Sequence, residues 1–163
     1  MQNKKTARKA RLLRWVMNIY PPYLGAGVKV REISADFRHV RVSMGLTWYN
    51  RNYVRTQFGG SLYSMTDPFF MLMLMENLGR DYVVWDKASH IEFISPGRGT
   101  VHAEFSIDQA ILEDIRQHTA NGEKYLPKYT AYVRDDQGTL VAQVEKTLYI
   151  RRKPEAQLAA TPQ

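Results

Sequence analysis

The stretch QFGGSLYSMTDP, residues 57–68, places Gly59 and Gly60 ahead of an apolar run and then plants a carboxylate, Asp67, within that run. Glycine removes the Cβ, so a ligand can approach the backbone closely, and backbone N–H groups at such a turn are aimed donors for a developing negative charge. A carboxylate facing an anion-binding turn is a pairing suited to catalysis. The local chemistry has a second reading. Asp67 followed by Pro68 also makes a good helix start, with Asp as the N-cap and Pro in the first turn, where its missing N–H is not needed. If instead the helix begins near Gly60, Pro68 lies inside it, leaves the Ser64 carbonyl without its usual donor and bends the helix beside the carboxylate.

The surrounding elements follow from periodicity. In HVRVSMGL, Val40, Val42, Met44 and Leu46 alternate with Arg41, Ser43 and Gly45, which predicts a strand with one buried face, and VKVREISAD before it is the expected partner. WYNRNYVRTQFGG has no regular period and carries several aromatics, so it reads as a loop whose large side chains need something to pack against. From Ser61 to Leu78 the chain is apolar on nearly every face in its second half, which predicts a buried central helix ended by Gly79. Period-two alternation then dominates. HIEFIS leads into the Pro96–Gly99 turn, TVHAEFSI follows, AILEDIRQH is a short helix closed by Asn121-Gly122, and KYLPKYTAYVRD and TLVAQVEKTLYIRR are joined by DDQG, a hairpin signal. The expected order is helix, two strands, one long buried helix, then four strands in two hairpin-like pairs. A strongly curved antiparallel sheet wrapped around the helix would bury it, giving an α+β fold.

The expected organisation is a basic N-terminal helix and linker over 1–27, one domain over 28–153 and a loose tail over 154–163. The net charge of +7 is localised. Eight basic residues and no acid lie in residues 1–31, and the remainder carries 15 basic against 16 acidic residues. A general nucleic-acid-binding face is therefore not expected. Leu12, Trp15, Val16 and Ile19 follow helical spacing up to Pro21-Pro22 and are expected to pack on the body; contact with a membrane surface or an anionic ligand is the alternative. There is no cysteine, and the four histidines show no metal-ligand spacing, so neither a thiolate site nor a zinc site is expected. No stretch has the length of a membrane span or the pattern of a signal peptide, and a cytoplasmic protein is expected.

Asn52, five residues, Phe58-Gly59-Gly60, six residues and Asp67 together resemble the motif of hotdog-fold acyl-CoA thioesterases, particularly the phenylacetyl-CoA type, which carries His-Gly-Gly in the middle. The resemblance runs over roughly 28–151 and includes ISPGRGTVHAEF, similar to that family's Pro-Gly turn and following strand. It looks most like a branch of thioesterase-like proteins with little assigned function. The resemblance implies a hotdog fold with an extra N-terminal helix and hydrolysis of an acyl-CoA or other acyl thioester. Asp67 would be nucleophile or general base, Gly59 and Gly60 the oxyanion donors, and Asn52 the holder of a water or of the carboxylate. It further implies homodimers or homotetramers, with the glycines and the aspartate of one site drawn from two subunits. The family's histidine is Phe58 here, so its imidazole hydrogen bond is missing.

Phe58, Tyr63, Ser64 and Met71 are expected around the acyl group, and Arg55, Arg98 or Arg51 near the coenzyme A phosphates. Coenzyme A enters as part of the substrate, and no separate cofactor is expected. Neither Ser61 nor Ser64 sits in a nucleophile elbow. The rival reading is a non-catalytic hotdog protein that binds acyl-CoA or a fatty acyl group as sensor or carrier, favoured by Phe58. A dehydratase would want a histidine near the central helix, and none lies between Trp48 and Gly79.

Overall fold

The computed structural model describes residues 2–154, with side chains from Lys4 onward. The tail expected to be loose lies outside the described residues from position 155. Two helices lead the chain, α1 (Gln2–Ile19) and α2 (Pro21–Ala26), the break falling at Pro21 as its missing N–H requires. Strands β1 (Val28–Ile33) and β2 (His39–Met44) follow and pair antiparallel, as expected. The central helix comes next in two segments, α3 (Gly59–Ser64) and α4 (Phe69–Leu78). β3 (Tyr82–Phe93), β4 (Val101–Ser106), α5 (Gln109–His118), β5 (Lys124–Tyr125), β6 (Lys128–Asp135) and β7 (Leu140–Arg152) complete the order.

All strands join one antiparallel sheet, in the order β1-β2-β4-β6-β7-β3, with β5 also paired to β7. The fold is the expected α+β wrap of a curved sheet about a central helix. Alternation explains the packing. Val40, Val42 and Met44 of β2, Val101, Ala103 and Phe105 of β4, and Ala142, Val144, Leu148 and Ile150 of β7 are all buried. α4 meets them with Phe69, Phe70, Met73 and Leu74, and the rings of Phe69 and Phe70 sit 4.9 and 5.2 Å from Phe105. Each such side chain removed from water stabilises the fold by about 1.5–3 kcal/mol.

Three expectations are corrected. β6 and β7 form the DDQG hairpin, but β3 and β4 are not a hairpin: the Pro96–Gly99 segment carries the chain from one edge of the sheet, where β3 pairs β7, to a position between β2 and β6. The central helix is interrupted at Met65–Pro68, because Pro68 cannot donate to the Ser64 carbonyl and α4 restarts at Phe69. Its second half is not buried all round, since Met75 is exposed and Met71 half-buried on the side away from the sheet.

The two sheet edges are treated differently. On β1, the Asn18 side chain accepts from Val30 N at 2.9 Å and donates to Val30 O at 3.0 Å, so α1 occupies backbone groups that an edge strand leaves open. On β3 no strand among the described residues pairs with the outer edge, and Lys87–His90 are exposed.

Candidate active site

The glycine turn is assembled by polar anchors. In the loop before α3, the buried Asn50 accepts from Thr47 N and Oγ1 and donates to the carbonyls of Ala26 and Gly45. Gln57 is also buried; its Nε2 donates to Gly99 O at 2.9 Å and Met44 O at 3.3 Å, while its own N–H bonds Gly97 O. The loop is thus stitched to β2 and to the Pro-Gly turn. Its aromatics do not do the anchoring: Trp48 and Tyr53 are exposed, contrary to the expectation that the loop's large side chains pack. Asn52 closes the loop internally, with Oδ1 accepting from Thr56 N at 3.0 Å and Nδ2 donating to Thr56 Oγ1 at 2.8 Å. That leaves one lone pair of Oδ1 for a water.

α3 opens at Gly59. The N–H groups of Gly59 and Gly60 have no hydrogen-bond partner among the described residues, as expected for the first donors of a helix. Neither glycine has a positive φ. What selects glycine is close approach: a Cβ on Gly59 would stand 2.8 Å from Cζ of Phe93, and one on Gly60 would collide with the Phe58 ring. Phe58 and Phe93 are themselves more than half exposed, so the two rings form a lid of apolar surface over the turn. Beside the turn lies a cavity of ≈ 470 Å³ lined by Asn52, Gly59, Leu62, Phe93 and Arg98, among others. It joins three of the residues expected in the site, Asn52, Gly59 and Arg98. Arg55, held at φ 62, is exposed and does not line the cavity, nor does Arg51, whose backbone bridges to Gln57.

Asp67 stands at the other end of α3. It lies eight positions on from Gly59, past the six residues of α3, a rise of about 9 Å, and within the non-helical break that follows. It does not cap α4: Pro68 is the N-cap position, and no side chain there accepts from the helix N–H groups. The carboxylate turns instead to the sheet, where Lys146 Nζ donates to Asp67 Oδ1 at 3.0 Å and lies 3.2 Å from Asp86 Oδ2. The Lys146 side chain is 0% exposed, Asp86 21% and Asp67 49%, so a buried cation holds one carboxylate at the rim and one farther in. The Tyr63 ring centroid is 5.2 Å from the ammonium, and its hydroxyl accepts a 3.5 Å contact from it. Ser64 and Met71 are half-buried on the same central helix and do not line the cavity.

Burial alone would lower the Lys146 pKa, but the hydrogen bond to Asp67 and the charges of Asp86 and Asp67 outweigh it and hold the ammonium above its ordinary 10.5. Burial raises the Asp86 carboxyl above 3.8 against the pull of Lys146. Asp86 Oδ1 is buried without a partner among the described residues, and β3 bulges immediately after it, at the register shift between Asp86 and Ala88. The Tyr23 hydroxyl is also buried and unpaired; burial first and the Asp67 charge second push its pKa up.

Lys146 was missed in the sequence. The signal was present: Val144, Lys146, Leu148 and Ile150 fall on one face of β7 at period two, so the lysine occupies a core position. A lysine placed there requires a carboxylate to meet it, and of the two acidic residues in the central run, Asp67 and Glu76, Glu76 is paired with Lys9.

The folded chain is a hotdog, and solved structures agree. A Pseudomonas aeruginosa protein of unknown function called a "Probable Thioesterase" superposes with a TM-score of 0.75 at 17% identity, covering 88% of this chain and 95% of that one. The thioesterase HI1161 of Haemophilus influenzae gives 0.64 at 11% identity over 88% and 90%. The E. coli PaaI protein from the phenylacetic acid degradation operon gives 0.58 at 15% over 92% and 95%. No curated protein matches the sequence. Within this fold, the chain belongs to the family described as a domain of unknown function, DUF4442, whose model matches residues 8–150.

Proposed function

We propose that the protein hydrolyses an acyl thioester, with acyl-CoA the substrate class, in a site shared by two copies of the chain. The observation that carries this reading is Asp67 on a break in the central helix, fixed by a buried lysine, opposite in the fold to a glycine turn with two free N–H groups. In one chain Asp67 lies beyond α3 from the glycine turn and does not line the cavity beside it, so in this reading neither half is complete alone. The bare edge of β3 supplies a way to join them. An antiparallel pairing of two β3 edges about a two-fold axis near Ser89–His90 lays the Phe93 end of one copy, with its glycine turn, beside the Asp86 end of the other, with its Asp67.

The reaction then needs only these groups. Lys146 fixes Asp67 through Oδ1 and leaves Oδ2 free to take a proton from water as the water oxygen attacks the thioester carbonyl carbon. The Gly59 and Gly60 N–H groups receive the oxyanion, each such donor contributing on the order of 3 kcal/mol in the transition state. The C–S bond breaks, the departing thiolate takes the proton from Asp67, and a carboxylic acid and a free thiol result. Arg98 and Asn52 both line the cavity, and in this reading Arg98 would meet a phosphate of coenzyme A and Asn52 would hold the water. No helix among the described residues is long and apolar enough to cross a membrane.

One observation favours a second reading, a non-catalytic acyl-CoA binder: the Phe58 ring stands over Gly60, at the position where the resembling motif has histidine. Release of free thiol from short-, medium- and long-chain acyl-CoAs separates the two. The wild type is expected to turn over at least one, and Asp67→Asn to lose about 100-fold or more with the fold intact. Saturable binding without turnover by the wild type would replace the hydrolase by the binder.

A further inference from the structure

The apolar stripe of α1 faces away from the body. Leu12, Trp15, Val16 and Ile19 are 60%, 61%, 43% and 49% exposed, against the expectation that they pack. The side that does pack is formed by Ala10 and Met17, with Leu13 partly buried and Asn18 on the β1 edge. At 100° per residue, Lys4, Lys5 and Arg8 fall on the same outward half of the helix as the stripe, one or two turns earlier. Lys9 pairs with Glu76 and Arg14 donates to the Arg31 carbonyl, but Lys4, Lys5, Arg8 and Arg11 have no acidic partner among the described residues. An exposed row of large apolar side chains thus continues directly into a row of unneutralised cations.

We propose that α1 docks the protein on the surface of an anionic lipid bilayer, lying flat with Leu12, Trp15, Val16 and Ile19 in the headgroup–acyl boundary and Lys4, Lys5 and Arg8 on the headgroups. Charge selects this occupant. A partner helix from a second copy would bring the same uncompensated cations to the contact, since residues 1–31 contain eight basic residues and no acid. Position agrees with it: α1 covers the β1 edge, and the free β3 edge is at the opposite end of the sheet, so pairing through β3 leaves α1 outward. An indole ring at the boundary and lysine stems reaching past it to the headgroups suit an interfacial helix. The inference stands apart from the hydrolase reading, because none of these residues belongs to the proposed site.

Flotation of the full chain with phosphatidylcholine vesicles, with and without phosphatidylglycerol, tests it at low and high salt. The wild type is expected to float with the anionic vesicles at low salt only. Lys5→Gln with Arg8→Gln, which removes two positive charges, should weaken binding on the order of 25-fold. Trp15→Ser with Ile19→Ser, which leaves the charges in place, should weaken it as well. All four positions are exposed, so the thermal midpoint and any thiol release from soluble acyl-CoA should not change. No flotation with anionic vesicles, or unaltered flotation of the serine variant, overturns the proposal. A smaller solution mass for the serine variant would also overturn it, assigning the stripe to a second copy.

Discussion

Lys146 is the residue on which the candidate site turns. Its ammonium is buried and its two carboxylate partners are partly exposed, so removing it strands Asp86 and Asp67 rather than creating a simple cavity. Lys146→Met should destabilise the protein by about 3 kcal/mol, toward the low end for a buried pair because water reaches Asp67. Thermal melts measure this. The pH dependence has a definite sign. The folded-state pKa of Lys146 lies above 10.5, so the stability from its pairing is fully present below 10.5 and is lost as pH rises through the raised value. The wild type's margin over Lys146→Met should therefore be level across neutral pH and shrink above 10.5. Asp86 has the same sign in the acid range: its raised pKa favours the protonated form, and that contribution fades as pH climbs past 3.8. Of these groups Asp67 was legible from sequence, because an acid in an apolar run is conspicuous. Lys146 was not noticed because both Val141 and Ala142 are buried at the start of β7, which blurs which face the following residues take.

The elements show where pattern reading succeeds and where it does not. β1 and β2, the β6–β7 hairpin and α5 followed from alternation and turn residues. Nothing local could place β3 at the far edge of the sheet, since its partner β7 lies some sixty residues on in the chain. The outward turn of α1 has a similar cause. Its apolar spacing marks a face but not what covers it, and the position of the helix is set by the Asn18 amide binding the open backbone of Val30. Asn18→Ala removes both bonds and should lower stability by about 2 kcal/mol, at roughly one per bond, with α1 becoming more open to proteolysis. Limited digestion beside a thermal melt reads both. The break between α3 and α4 was half visible, because Pro68 signals an interruption without saying where the freed Asp67 will turn.

At the level of the whole molecule, the glycine turn and Asp67 stand apart in one chain, and no described strand pairs with the outer edge of β3. Phe58, Phe93, Trp48 and Tyr53 are exposed around the glycine turn, more apolar surface than one isolated chain would be expected to leave to water. A second copy paired through β3 would cover part of it. The glycine turn and Asp67 would then belong to one site only across the two-fold axis. The sequence carried the glycine turn and Asp67 but not their separation, which comes from α3 and the break that follows it. Sharing of the site is tested most directly by complementation. Gly59→Val, which drives a side chain into Phe93, and Asp67→Asn should each be inactive as a homodimer in thiol release from acyl-CoA. Co-expressed, they should form mixed dimers with one intact site, returning about a quarter of wild-type activity when pairing is random. Mixed dimers that form and show no activity, beside an active wild type, would contradict a site built from two subunits.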